Sequence, residues 1–266
     1  MPRANRHFLP GLAWHITHRC HQKEYLLKFR RDKILWIRWM HEAKRRFGLI
    51  ILNYMITSNH IHLMGLTGPA FRSDGADRPI SLAMQLAHSR VAQEFNARKE
   101  RHGAFWEDRY HATAIETGTQ LAQCLTYVDM NMVRAGVVGH PREWEFCGYT
   151  ETLKPDVRPR LRLVDADVLA DLAGARDQAS LMRMRETWIE QAIRKSRLER
   201  EPLWTESVAV GGQDFLERIR CGLGRRIGAT EIVSADGTLA LRRARPGSFP
   251  VTLGPARTEV LATDPD

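Results

Sequence analysis

The chain has 266 residues, of which 43% are hydrophobic, and its 40 Lys and Arg against 31 Asp and Glu give a net charge of +9. This length is sufficient for one large domain, or a compact domain with an extension. The sequence has no apolar run of about eighteen residues, as a membrane span needs, and no signal-peptide core. Its scattered cysteines disfavour a disulfide framework or a zinc ribbon. A cytoplasmic protein is therefore expected.

Apolar periodicity predicts alternating strands and helices in the first part of the chain. The order favours an α+β fold, a ferredoxin-like antiparallel sheet with helices packed on it, over a first domain of residues 1–150. The predicted elements are a strand over 12–18, a helix over 31–47 ended by Gly48, strands over 49–57 and 60–66, a helix over 81–98, an extended segment within 104–116, and a helix from Thr117 or Thr119 to about 135.

The remainder of the chain is predicted to be a mostly helical C-terminal extension over 151–235, followed by a poorly ordered tail over 236–266 that is rich in Arg, Pro and Gly. The pattern predicts a connector over 142–160 and helices over 164–175, 178–198 and 213–227.

Two histidines, His60 and His62, stand one residue apart in a predicted strand. Alternate residues of a strand face the same side, so both imidazoles would point the same way. As neutral imidazoles they could bind a divalent metal. Taken alone, such a pair more often only forms hydrogen bonds, so the rest of the chain has to supply further evidence.

Tyr127 and Asn131 provide that evidence, because residues four apart share one face of a helix. The amide oxygen of Asn131 could be a third metal ligand, and Tyr127 would lie beside the metal. The tyrosine hydroxyl could then attack a phosphodiester that the metal polarises, forming a covalent phosphotyrosine that a DNA 3′-hydroxyl later attacks. In isolation, Tyr127 is more often an ordinary core residue of an amphipathic helix. A phenol with a pKa near ~10 needs help from the metal or a base.

These motifs resemble the single-tyrosine HUH transposases (His, hydrophobic residue, His), and among them the REP-associated tyrosine transposases. The resemblance rests on NHIHL at 59–63 and YVDMNMVRAG at 127–136, together with PGLAWHITHR at 10–19 and FWEDRYHATAIET at 105–117. It covers 9–150 and continues through 202–219. Two departures could alter local backbone geometry: Ser58 and Met132 stand where family members often have proline.

The resemblance implies an endonuclease and strand transferase with Tyr127 as nucleophile and His60, His62 and Asn131 as ligands of Mg²⁺ or Mn²⁺. Its substrate would be single-stranded DNA with a hairpin or palindromic repeat, and its products a 5′-phosphotyrosine link and a free 3′-hydroxyl. The protein would be a monomer or homodimer, cytoplasmic and nucleoid-associated when bound to DNA, with no membrane partner.

Basic and aromatic residues elsewhere could contact phosphates or stack unpaired bases. The alternatives are a solvated basic N-terminus and, for the aromatic residues, core packing. The candidates for DNA binding are Arg3, Arg6, His18, Arg19, Lys23, Arg109, Tyr110 and Arg134.

Two other functions fit parts of this pattern. A non-catalytic nucleic-acid-binding protein with the same fold would keep the charge and the aromatic residues without using Tyr127. A metal hydrolase that activates water would leave no protein–DNA bond, but the sequence lacks the HExxH motif or carboxylate cluster of common hydrolytic sites.

Overall fold

The structure is a computed structural model that describes residues 8–68, 79–195, 199–235 and 237–244. No helix within these ranges is long and apolar enough to cross a lipid bilayer. The first six elements alternate as the sequence predicts. They are β1 (Ala13–Arg19), α1 (Arg30–Phe47), β2 (Ile50–Ile56), β3 (His60–Leu66), α2 (Pro79–Lys99) and β4 (His111–Ile115).

The first four strands lie in the order β2-β3-β1-β4, and every neighbouring pair among them is antiparallel. Helices α1 and α2 pack against each other on one face of this sheet. The β1-α1-β2-β3-α2-β4 sequence with this strand order is the ferredoxin-like arrangement. The predicted α+β fold is therefore confirmed.

The rest of the chain contains the predicted helices and, in addition, three strands that extend the same sheet. The two-residue β5 pairs parallel to β4, and β7 joins β5 to β6, so the full order is β2-β3-β1-β4-β5-β7-β6. The later elements are α3 (Thr119–Asp129), α4 (Asn131–Arg134), α5 (Gly148–Leu153), α6 (Ala166–Leu172), α7 (Gln178–Arg194), α8 (Pro202–Glu206), β5 (Ala209–Val210), α9 (Gln213–Leu223), β6 (Thr230–Ala235) and β7 (Thr238–Arg243).

The antiparallel sheet predicted for the first domain becomes mixed where the later strands join it, because β4 and β5 run parallel. One prediction for the later region needs correction. The tail predicted to be poorly ordered begins with an ordered strand, since β7 pairs along its whole length with β6. Residues 245–266 of that tail lie outside the described residues.

Strand register assigns the side chains of β1 to two different environments. On β1, His18 stacks on His88 of α2, so its side of the sheet faces the helical layer. His15 lies on the opposite face together with His60 and His62 of β3, because Thr17 of β1 is paired directly with His62. The face away from α1 and α2 therefore carries the two candidate metal ligands.

The predicted helix that carries Tyr127 is interrupted at Met130. Helix α3 ends at Asp129, and α4 begins at Asn131. Met130 has ψ 0°, well away from the α-helical value of about −42°. Despite this break, the side chain of Asn131 faces β3, as its contact with His62 shows.

Candidate metal and tyrosine site

The four residues that the sequence singles out meet in one place, within one chain. The rings of His60 and His62 have centroids 5.0 Å apart. The Tyr127 ring lies 6.1 Å from that of His62, and the Asn131 amide nitrogen lies 2.9 Å from Nε2 of His62. Strand β3 thus contributes two imidazoles and the α3–α4 segment contributes a phenol and an amide.

His60 turns its Nε2 away from the loop that precedes it. Its Nδ1 lies 2.8 Å from Oδ1 of Asn59 and 2.9 Å from Oγ1 of Thr57. Because the amide oxygen of Asn59 only accepts, Nδ1 carries the proton and Nε2 carries the lone pair. Burial, together with the positive charges of Arg19 and Arg134, lowers the pKa of His60 to about 4. His60 is therefore neutral at pH 7.

His62 is buried and also neutral. Burial is the main cause that holds its pKa well below the usual value, and the neighbouring His60 and His15 add to the effect. Its Nδ1 contacts Nε2 of His15 at 2.9 Å, and its Nε2 faces Asn131. Both candidate ligands are thus in the form that binds a metal cation.

The donor set fits a divalent metal. Among the described residues, no group of three or more His, Cys, Asp or Glu side chains is placed to hold a metal ion. The side chain that faces Nε2 of His62 is the Asn131 amide, and in the flipped amide its oxygen could be the third donor. Two imidazoles and one amide oxygen leave coordination positions for substrate, as in catalytic sites.

Tyr127 is almost completely buried, with 5% of its surface exposed. Burial raises its pKa, and the positive charge of Arg134 opposes that effect. The guanidinium carbon of Arg134 lies 4.0 Å from the centre of the Tyr127 ring. Arg134, predicted to contact DNA, thus lies against the candidate nucleophile.

Tyr127 and Arg134 line a cavity of about 780 Å³ whose other wall comes from the C-terminal extension and strand β7. That wall includes Trp204 and three basic residues. Glu199 and Glu201 also line it, so its charge is mixed. The basic residues are Lys195, Arg200 and Arg242.

The other DNA-binding candidates are dispersed. Arg19, Lys23 and Arg109 are exposed, and Arg19 is 3.9 Å from Glu107. Tyr110 is partly buried, with its ring 6.5 Å from that of Phe8. Arg3 and Arg6 lie outside the described residues.

His18 differs from the expectation that it contacts DNA. The residue is 7% exposed, its Nδ1 lies 2.6 Å from Nδ1 of His88, and its Nε2 lies 3.2 Å from the Asp108 carbonyl. Both nitrogens are engaged inside the protein because His18 points to the helical layer rather than to solvent.

Several residues that contact the site residues or the end of α3 were not identified from the sequence. Asp129 accepts a hydrogen bond from the Asn53 amide at 2.9 Å and from Arg185 of α7 at 2.8 Å, which fixes the end of α3. His15 and Trp204 lie next to His62 and Tyr127. Strand alternation in AWHITHR places His15 on one face, but only the pairing of β1 with β3 shows that this face is the face of His62.

Comparison with known proteins supports the assignment of this region. Residues 9–131 match the family model of IS200-like transposases. No curated protein matches the chain.

Two solved structures are similar at low identity. One is a REP-associated tyrosine transposase bound to a REP hairpin, which is 19% identical in sequence. The alignment covers 61% of this chain and 88% of that chain, with a TM-score of 0.45. The other is a protein described as a transposase from Deinococcus radiodurans, which is 11% identical in sequence. That alignment covers 50% of this chain and 89% of that chain, with a TM-score of 0.32. The family match is the stronger finding because it contains His60, His62, Tyr127 and Asn131. Residues 9–131, somewhat less than half of the chain, are therefore similar to the IS200-like transposases.

Proposed function

We propose that this protein is a transposase, a metal-dependent endonuclease and strand transferase that acts on single-stranded DNA with Tyr127 as nucleophile. The observation that carries the proposal is the meeting of two neutral imidazoles, an amide and a tyrosine in one chain, with Asn131 2.9 Å from His62. A divalent cation held by His60, His62 and Asn131 would polarise a phosphodiester oxygen of the DNA.

The protein's own residues account for the rest of the reaction. The Tyr127 oxygen attacks phosphorus in line, and the bond from phosphorus to the 3′-oxygen breaks. The phenol loses its proton, the leaving oxygen gains one, and the products are a 5′-phosphotyrosine and a free 3′-hydroxyl. Attack by a DNA 3′-hydroxyl on this link then rejoins a strand and releases Tyr127, so no external energy source is required.

Arg134 is placed to support the first step. Its charge lies against the Tyr127 ring and favours the phenolate over the phenol. Burial works in the opposite direction, as it does for any group that gains charge away from water. The proposed role of Arg134 is therefore to offset the burial of the nucleophile.

We place the DNA strand in the cavity beside Tyr127, with Lys195, Arg200 and Arg242 near its phosphates. The preference for a hairpin or palindromic repeat is proposed from the motif resemblance. All four residues of the proposed site come from one chain, and we propose that a single copy can form it.

The decisive experiment incubates end-labelled hairpin oligonucleotides with the full chain and Mn²⁺, followed by a denaturing gel. The expected result is a covalent adduct that disappears in Tyr127→Phe and persists in Tyr149→Phe, a change to a buried tyrosine on α5. An undiminished adduct in Tyr127→Phe contradicts the proposal. Binding without cleavage across many hairpins favours a non-catalytic DNA-binding protein, and cleavage without an adduct favours a hydrolase that uses water.

A further inference from the structure

We propose that His15 is a positioning residue that fixes the tautomer of His62, and that the backbone carbonyl of Trp204 fixes His15 in turn. The inference rests on the proposed metal site and deepens it, since it adds a residue that no ligand motif contains. It also gives the C-terminal extension, which lies beyond the family match, a part in the site.

The relay begins at Trp204. Nδ1 of His15 lies 2.9 Å from the Trp204 carbonyl oxygen, which can only accept a hydrogen bond. Nδ1 of His15 therefore carries a proton. His15 has no exposed surface, and within the described part of the chain its ring nitrogens contact that carbonyl and His62, neither of which is a carboxylate. A second proton on such a ring is costly, so Nε2 of His15 keeps its lone pair.

The same reasoning shows which nitrogen of the His62 ring carries the proton. Its Nδ1 lies 2.9 Å from the lone pair on Nε2 of His15, so Nδ1 of His62 is the donor. The neutral His62 ring then has its own lone pair on Nε2, the nitrogen that faces Asn131 at 2.9 Å. In the opposite tautomer a proton would occupy that position and block coordination. The two rings are nearly parallel, 6° apart, so the relay also orients the His62 ring.

Trp204 is well placed to be the fixed end of the relay. Its residue is 2% exposed, and its carbonyl also accepts a hydrogen bond from Oγ1 of Thr113 on β4 at 3.2 Å. Its indole nitrogen donates to Glu201 at 2.8 Å. Metal-binding histidines commonly donate their second nitrogen to such a partner, which sets tautomer and orientation. Here the partner is another histidine, and a carbonyl of α8 anchors it.

The helical face of the sheet offers a matched comparison. Trp36 donates to Nε2 of His88 at 3.1 Å, and Nδ1 of His88 lies 2.6 Å from Nδ1 of His18, which is three residues after His15 on β1. The histidines of this second chain of hydrogen bonds are also buried, but the chain ends at the Asp108 carbonyl and reaches no candidate ligand.

The first test needs no metal. The full chain is labelled with ¹⁵N-histidine, and long-range ¹H–¹⁵N spectra distinguish the two neutral tautomers; His15→Gln and His62→Gln assign the signals. The expected result is that His15 and His62 both carry the proton on Nδ1. A His62 ring with its proton on Nε2 overturns the inference, whatever the protein does to DNA.

The second test measures Mn²⁺ affinity by titration followed with electron paramagnetic resonance. His15→Gln places an oxygen near the original Nε2 and keeps an acceptor for His62, whereas His15→Asn reaches only the Nδ1 position. We expect Mn²⁺ binding to weaken by about 10–100-fold in His15→Asn and to stay near wild type in His15→Gln. The control His18→Asn, on the opposite face, leaves Mn²⁺ affinity unchanged.

Equal Mn²⁺ affinity in folded His15→Asn and wild type overturns the positioning role. Mn²⁺ binding by the wild type that is insensitive to His60→Ala overturns the proposed metal site instead. The two failures are therefore distinguishable, and the tautomer spectrum of the wild-type chain still tests the inference where His15→Asn fails to fold.

Discussion

Arg185 and Asp129 form a salt bridge that is closed to solvent: their side chains are 0% and 1% exposed, and Nη2 of Arg185 lies 2.8 Å from Oδ2 of Asp129. Asp129 stands between Tyr127 and Asn131 in sequence. The pair therefore ties helix α7 of the C-terminal extension to the segment that carries half of the proposed site.

Removing one member of this pair should destabilise the protein strongly. We expect Arg185→Leu to lower the free energy of unfolding by about 3–5 kcal/mol, because it leaves the charge of Asp129 buried without an opposite charge. Urea unfolding at pH 7 measures the change. The matched control is Arg194→Leu on the same helix, whose exposed pair with Glu190 should contribute less than about 0.5 kcal/mol. Similar losses in both variants would contradict the argument.

Gly148 should be intolerant of even one methyl group. A Cβ there would lie 2.3 Å from Oδ1 of Asn53 and 2.9 Å from Cγ2 of Val164. Because Asn53 holds Asp129, Gly148→Ala should disturb the end of α3 and cost about 1–3 kcal/mol of unfolding free energy. In the control Gly139→Ala the nearest atoms would be 3.8 Å away. Unfolding curves that shift equally for both variants would refute the clash.

Local patterns and the family resemblance together singled out the four residues that the structure brings together. Strand alternation placed His60 and His62 on one face, and helical spacing placed Tyr127 near Asn131, even though the helix breaks at Met130. The ferredoxin-like order follows from the periodicity of the first six elements, which are long enough to show it.

Long-range relations were not accessible in the same way. The contact of His15 with the Trp204 carbonyl joins residues 189 apart in sequence, and nothing local predicts it. Strand β5 has two residues, too few to show any periodicity. His18 shares its strand and residue type with His15, so only the register shows that it faces the helical layer.

Buried histidines should make stability depend on pH. Burial lowers the pKa of His15 to about 4 and that of His18 to about 3, from an ordinary 6.5. The folded pKa values lie below the unfolded ones, so their stabilising contribution is complete above pH 6.5. It is lost as pH falls toward 4, because only the unfolded state takes up these protons, at about 1.4 kcal/mol per pH unit for each histidine.

Urea unfolding at a series of pH values checks this dependence. In His18→Gln one of these groups is absent, so the slope between pH 6.5 and 4 should decrease by about 1.4 kcal/mol per pH unit. The comparison uses slopes, so an overall loss of stability in the variant does not obscure it. An unchanged slope would mean that His18 takes up its proton in the folded state as well.

The third donor of the proposed metal site can be tested by changing its charge. Asn131→Asp keeps an oxygen at the same distance from the backbone and adds a negative charge. Mn²⁺ and Mg²⁺ should therefore bind at least about tenfold more tightly. Asn131→Leu should weaken both. Titration calorimetry measures the affinities, and Asn96→Asp on α2 serves as the control for added charge alone. Tighter binding in the control would show a general charge effect.

Arg134 should set the pH at which Tyr127 becomes reactive. Its guanidinium carbon lies 4.0 Å from the centre of the tyrosine ring, and its charge lowers the pKa of Tyr127 against the effect of burial. In Arg134→Met that opposing charge is lost, so the pKa of Tyr127 rises and the pH profile of adduct formation moves upward by about 1–3 units. Single-turnover rates at saturating DNA and Mn²⁺ measure the profile. Arg134→Lys retains a positive charge, so its pH profile should lie between those of the wild type and Arg134→Met. A rate that falls equally at every pH, with the profile in place, would instead assign Arg134 to holding the DNA strand.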